Sequence, residues 1–198
     1  MINYFYEALE ETLNNEGIYS NNPNDSGGET YQGISRAFHP SWKGWEIIDE
    51  TKEIYSTSDP AFENELVARE IFLKVRDFYK EKFWNALSLG AINSKPVALK
   101  LFDMGVNLGI PRTAAIVQSS LNVMNYGLNY ELKVDNMLGR LTVSVINEMT
   151  KKDNGEFLLR LLTIQQGALY IKLAQNNPSQ REFIKGWINR LKITIRGS

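Results

Sequence analysis

NYFYEALEETLNNEGIYSNNPNDSGGETYQGIS, residues 3–35, sets the fold class of this chain. Over residues 3–15, Tyr4, Phe5, Ala8, Leu9 and Thr12–Leu13 fall on one helical face, with Glu7, Glu10 and Glu11 opposite. The pattern stops at Asn14-Asn15-Glu16-Gly17, where Gly17 is a candidate C-terminal cap. Residues 18–35 are rich in Asn, Gly, Ser and Asp and read as loop, folding back as a short hairpin at Gly27-Gly28. An amphipathic helix followed by a short polar hairpin, with no strand-rich region after it, predicts a mainly α protein.

The rest of the chain extends that reading. Residues 36–59 are irregular around Pro40, Trp42 and Trp45, with a short helix at 45–50. Thr57, Ser58 and Asp59 are cap candidates for a helix starting near Pro60 and running through Val67, Ile71, Val75 and Phe78 to about Leu87. Ser94 and Pro96 open the next helix, which Gly105 to Gly109 end. Pro111 opens another, and a turn at Asp135–Gly139 leads into a helix over 138–149. Two long helices, 156–176 and 179–194, finish the chain with Pro178 between them.

Composition narrows the chemistry. The chain has 198 residues, no cysteine and one histidine. A disulfide framework is impossible, and His39 alone makes a His-rich metal site or a His-based triad hard to build. Catalysis at neutral pH then leans on carboxylates, hydroxyls or amides, with no cofactor expected. The net charge of −1 gives no overall field toward nucleic acid or a membrane. No run approaches the roughly 20 apolar residues of a membrane span. Charge is nonetheless uneven: residues 1–35 hold no Lys or Arg, while the tail carries Arg181, Lys185, Arg190, Lys192 and Arg196 against Glu182 alone. The N-terminus lacks the basic start and apolar run of a secretory signal, which predicts a protein that is cytoplasmic until exported.

The densest chemical signal lies between Glu16 and Ser35. A helix C-terminus presents unpaired carbonyls and partial negative charge, which disfavours an ionised carboxylate. An acid at Glu16 is thereby helped to keep its proton, as a general acid must. Glycosidic cleavage needs such an acid and a second carboxylate to support the cationic transition state or activate water. Asp25 lies across the loop, Glu29 is a rival for the same role, and Thr30 offers a hydroxyl that can hold a water. On residues alone, Glu16 also reads as a solvated end-of-helix acid, and Gly27-Gly28 as a turn.

These motifs resemble the glycoside hydrolase 108 family, bacterial and phage N-acetylmuramidases once described as secretion activator proteins. Glu16-Gly17-Ile18-Tyr19 is similar to the family's Glu-Gly-Gly-Tyr. Pro23-Asn24-Asp25-Ser26-Gly27-Gly28-Glu29-Thr30 matches its Pro-x-Asp-x-Gly-Gly-x-Thr, and Gly33-Ile34-Ser35 its Gly-Ile-Thr/Ser. Ile18 departs from the pattern: a β-branched residue stands beside the acid where the family has a second Gly. Further along, Phe78–Trp84, Phe102–Gly109 with Gln118, Val134–Thr142 and Phe183–Arg190 resemble later blocks of the family, the last two in its peptidoglycan-binding C-terminal region.

The resemblance implies a lysozyme-like α-helical fold, with a hydrolase region over 1–93 and a helical peptidoglycan-binding region over 94–198 packed as one unit. It implies a lysozyme-type muramidase acting on peptidoglycan glycan strands at the cell wall or in the periplasm, as a monomer, with Glu16 as the acid. The Glu…Asp…Thr order, similar to phage-type lysozymes, suggests Asp25 and Thr30 as its partners. Tyr19, Glu29, Trp84, Asn107 and Gln118 are candidate substrate contacts. Each of the last three has a packing alternative: Trp84 as core, Asn107 as a helix-end residue, Gln118 as a buried hydrogen-bonder. Two other functions stand beside hydrolysis: a lytic transglycosylase, and a non-catalytic wall-binding or secretion-accessory protein, which Ile18 favours.

Overall fold

The computed structural model describes residues 4–13, 18–21, 28–125 and 131–191. Glu16 and Asp25 lie outside the described residues. The fold is mainly α, with one small antiparallel sheet among the described residues. The chain divides into two compact units, Met1–Ala86 and Leu87–Ser198.

In the first unit, helix α1 spans Phe5–Leu13 and buries Phe5, Ala8, Leu9 and Thr12, the face that the periodicity marks. Strands β1 (Tyr19–Asn21), β2 (Glu29–Tyr31) and β3 (Ile34–Ser35) follow in sheet order β1-β2-β3. Tyr19 faces Tyr31, Ser20 faces Thr30 and Asn21 faces Glu29. Thr30 faces Ser35 and Tyr31 faces Ile34. The β2–β3 connection is the two-residue turn Gln32-Gly33, with φ of +43° and +79°. Positive φ at both positions is the twist that matches a tight hairpin. Tyr79 pins this turn by donating its hydroxyl proton to the Gln32 carbonyl at 2.8 Å.

Helix α2 spans Gly44–Lys52, α3 Pro60–Ala68 and α4 Ile71–Tyr79. Asp59 caps α3, accepting from the Ala61 N–H at 2.8 Å, with Pro60 at the first helical position. The single helix expected from Pro60 to Leu87 is broken. Glu70 takes left-handed backbone, φ +56°, and restarts the chain as α4. The physical reason lies in the spacing of core residues. Phe62 and Leu66 of α3 are buried, as are Ile71, Val75 and Tyr79 of α4. Steps of four keep one face, but Leu66 to Ile71 is a step of five, and the break restores the phase. Val67, an expected core position, is 72% exposed.

A second step of five follows, from Tyr79 to Trp84, and both are buried. Here the chain does not break but widens into a π-helical turn, Lys80–Asn85. The i→i+5 repeat of that turn carries both rings to one side. Trp84 meets Phe5 of α1 edge-on, ring centroids 5.5 Å apart.

The second unit holds α5 (Lys95–Leu108), α6 (Ile110–Met124), α7 (Arg140–Met149), α8 (Glu156–Asn176) and α9 (Ile184–Arg190). Gly109, at φ +79°, separates α5 from α6 as the glycine signal requires. Asp153 seats the start of α8, accepting from the N–H groups of Gly155 and Phe157 at 2.9 and 3.0 Å. Gly155 has φ +90°, and a Cβ there would lie 2.3 Å from the Val97 side chain. The last long helix, expected over 179–194, opens instead as a 3-10 turn over Pro178–Phe183 before α9 begins. Among the described residues, no helix is long and apolar enough to cross a membrane.

Candidate active site

The sheet of the first unit brings three of the candidate residues together: Tyr19, Glu29 and Thr30. Side chains alternate across a strand, and directly opposed residues share a face. Tyr19, Asn21, Glu29 and Tyr31 therefore lie on one face, and Ser20, Thr30 and Ser35 form a row of hydroxyls on the other.

The Glu29 face packs inward. Tyr19 meets Phe62 edge-on at 5.2 Å, and Tyr31 is buried beneath Trp42, whose ring is stacked 6.2 Å away. Gly44 is required by that packing, since a Cβ there would lie 2.2 Å from the Trp42 ring. Glu29 anchors the face to α2. One carboxylate oxygen accepts from Lys52 and, at 3.0 Å, from the Tyr19 hydroxyl. The other lies 2.7 Å from Arg36 Nε. Arg36 continues the chain of charges, pairing with both oxygens of Asp49 at 2.6 and 2.9 Å, and its guanidinium lies 4.5 Å from the Trp45 ring centre.

The electrostatics follow from these contacts. Burial, then the hydrogen bond to Glu29, pushes the Tyr19 phenol well above its usual range, so it remains a neutral donor. Burial, with Glu63 nearby, pushes Tyr31 up to about 12. The hydrogen bond from Arg36 holds the Asp49 carboxyl below the usual carboxylate range. Burial and the Lys82 charge lower the His39 imidazole.

The hydroxyl face is chemically different. Thr30 donates to the Gly28 carbonyl at 3.3 Å, which leaves its oxygen lone pairs to accept from a water or a sugar hydroxyl. Ser20 is exposed and Ser35 is 8% exposed, so the row runs from solvent to the interior. Ile18 is 46% exposed, and its carbonyl accepts from the Gln32 N–H at 2.8 Å, adding one rung to the β1–β2 ladder.

The other candidates lie elsewhere. Trp84 is a core residue of the first unit, 5% exposed. Asn107, in the last turn of α5, donates to the Asp103 carbonyl and carboxylate at 2.7 and 3.0 Å. Gln118 of α6 is 2% exposed. Its amide nitrogen donates to Asp135 Oδ1 and the Met137 carbonyl at 2.7 and 2.9 Å, and its oxygen accepts from the N–H groups of Asp135 and Asn136 at 3.1 and 3.2 Å. Trp84 and Gln118 are buried among packing partners, and Asn107 bonds back onto the preceding turn of its own helix.

Sequence reasoning passed over Arg36, Asp49 and Lys52, which the fold gathers around Glu29 from distant positions. It also passed over Ser20, and took Ser35 only as part of the Gly33-Ile34-Ser35 motif. The period-two alternation around Thr30 was the available signal, once the Gln32-Gly33 turn is recognised.

Comparison with known proteins supplies two family matches. The pattern described as Glycosyl hydrolase 108 matches residues 9–109, and that described as a Predicted Peptidoglycan domain matches residues 112–192. The fold is similar to the solved structure of Brucella abortus SagA, with a TM-score of 0.64 at 20% identity, over 95% of this chain and 89% of that one. No curated protein matches the chain.

Proposed function

The chain belongs to the glycosyl hydrolase 108 family and is a peptidoglycan hydrolase, and on that premise we propose that it cleaves the β-1,4 bond between N-acetylmuramic acid and N-acetylglucosamine. Glu16 protonates the leaving oxygen. Asp25 stabilises the oxocarbenium-like charge or activates water, and Thr30 holds that water through its free lone pairs. The observation that carries the reading is the division of labour between the two faces of the hairpin. Glu29 and Tyr19 are spent on holding the hairpin to α2, which leaves the hydroxyl face to the reaction.

On this reading Glu29 and Tyr19 act on the substrate through the shape of the hairpin. Glu29 is surrounded by Lys52, Arg36 and Tyr19, so the second carboxylate of the reaction is Asp25. The two units share the work: the first cleaves and the second holds the wall, which is where the protein meets its substrate.

Turbidity loss of purified cell walls tests the proposal. Glu16→Gln should clear walls at least about 100-fold more slowly than the wild type, the scale of a lost general acid. A wild type that clears no faster than Glu16→Gln sinks the reading. Product masses separate water from the substrate's own hydroxyl as the attacking group: anhydro-sugar ends would replace hydrolysis with a lytic transglycosylase reaction.

A further inference from the structure

Helix α8 is apolar on two opposite sides. Leu158, Leu162, Gln166, Tyr170 and Ala174 are buried, and Gln166 accepts from Lys100 of α5 at 2.7 Å. On the other side Phe157, Ile164 and Ile171 are 51%, 66% and 50% exposed, with Ala168 exposed and Leu161 half-buried between them. Single exposed apolar residues are ordinary on a protein surface. What sets these apart is their spacing. Positions 157, 161, 164, 168 and 171 step by four and three in turn, the repeat of a seam that packs against another helix. At about 100° per residue they fall within about 80° of arc, directly opposite the buried set. A helix that is apolar all round is ordinarily covered all round.

The seam is complementary to itself when reversed. Laid antiparallel about a two-fold axis midway between Leu161 and Ile164, it sets Phe157 against the partner's Ala168 and Leu161 against the partner's Ile164. The largest side chain then meets the smallest, and the layers have similar bulk. A parallel pair would set ring against ring and methyl against methyl, one layer overfilled and one void. The seam runs about 21 Å along the helix. Two helices touching over that length bury on the order of 1,000 Å² in total, the low end of what a specific dimer needs. Charge permits the approach. The chain's net charge of −1 gives little repulsion between copies. Arg160 beside the seam is already paired with Glu156 of the same helix. The face therefore lacks the row of cations that surface helices use against anionic lipid.

We propose that the exposed seam of α8 docks on the same seam of a second copy of this chain, as an antiparallel and reversible dimer. The resemblance implies a monomer; the seam points to self-association. The pairing is independent of the proposed bond cleavage. It would join two wall-binding units in one particle, which strengthens the grip on wall by avidity without any new contact to wall.

Sedimentation velocity of the full chain tests this, from about 1 μM to about 1 mM, the range in which so small an interface should dissociate. The variants alter side chains exposed in the single copy, so circular dichroism at the lowest concentration should show the wild-type fold and melting. Ile164→Glu puts an unpaired charge inside the seam and should raise the dissociation constant at least about tenfold. Phe157→Ala and Ala168→Phe should each raise it roughly three- to tenfold, by a void and by a clash. Combined, the two exchange large and small within one layer and should return it to within about threefold of wild type, a rescue that general damage would not give. A wild type that stays monomeric throughout overturns the proposal. So does a dimer that Ile164→Glu leaves intact, or a double variant no better than its single parents. Phosphatidylglycerol vesicles that bind a monomeric wild type and not Ile164→Glu would overturn it too, making the face a membrane contact.

Discussion

Two polar clusters fasten irregular backbone to a helix in this protein, and they do it with different chemistry. In the first unit, Glu29 ties the hairpin to α2 with ionic partners, Lys52 and Arg36, and a phenol, Tyr19. In the second, Gln118 ties the 135–137 stretch to α6 with an amide that donates and accepts. An amide's hydrogen bonds have fixed directions, and here all but the one to the Asp135 carboxylate join neutral groups, so the tie responds only weakly to salt. A carboxylate among cations is stronger pair by pair, yet answers to ionic strength and to the protonation of its neighbours. The charged tie stands in the unit that carries the proposed chemistry, and the neutral one in the unit that binds wall.

Four perturbations should break or sharpen this contrast. Gln118→Ala should have the largest effect on stability. It removes a 2% exposed side chain with its four hydrogen bonds to residues 135–137 and leaves a cavity, costing about 2–3 kcal/mol. Thermal melting in low and high salt should show nearly the same loss in both, and a loss that vanishes in one would contradict a tie made mainly of neutral groups. Glu29→Gln keeps the volume but strips the counter-charge from Lys52 and Arg36. Asp49 still serves Arg36, so the cost should be smaller, about 1–2 kcal/mol. Wall clearing should nonetheless fall more than stability predicts, since the hairpin carries Thr30.

Acid comes third. Arg36 lowers the Asp49 carboxyl in the fold, so ionised Asp49 contributes stability that is complete above its unfolded value near 4. That contribution is lost as pH falls through the lowered, folded value. Gln118 likewise lowers Asp135, but Gln118 keeps its backbone partners when that acid is protonated. Hydrogen-exchange protection, corrected for intrinsic rates, should therefore decline below pH 4 more at residues 29–31 than at 135–137. Equal decline would erase the distinction. Salt should be weakest: raising sodium chloride from 0.1 to 1 M should cost the hairpin a few tenths of a kcal/mol, read from the same amides, because the charges are partly buried.

Much of the helical frame was legible in the residues because its boundaries are local. Asp59 with Pro60, and Gly109 before Pro111, act on their own neighbourhood, and helices begin and end there. The α3–α4 break escaped because Glu70, not a glycine, takes the left-handed turn. The third strand escaped because Gln32 stands where a tight hairpin turn usually has Asn, Asp or Gly. At the site, Thr30 and Glu29 were identified by motif, but their assignment to opposite faces needed the register. The ion network was illegible for a simpler reason: Lys52 reaches Glu29 across 23 positions of sequence, and no local pattern encodes such a meeting.

The rod formed by α4 and its π-helical turn has a consequence for how the chain can change over time. Its hydroxyl at Tyr79 grips the hairpin turn, and its indole at Trp84 grips α1, the helix that leads toward Glu16. Both grips fall on one side because the widened turn absorbs a residue. Losing one residue between them would restore ordinary winding and swing Trp84 by about 100°, the rotation of one α-helical position. Substitutions at the exposed positions of this stretch alter little, but a single insertion or deletion releases one grip. What is constrained between residues 79 and 84 is length, and the gap between the anchor of the hairpin and the anchor of α1 is being set by counting residues.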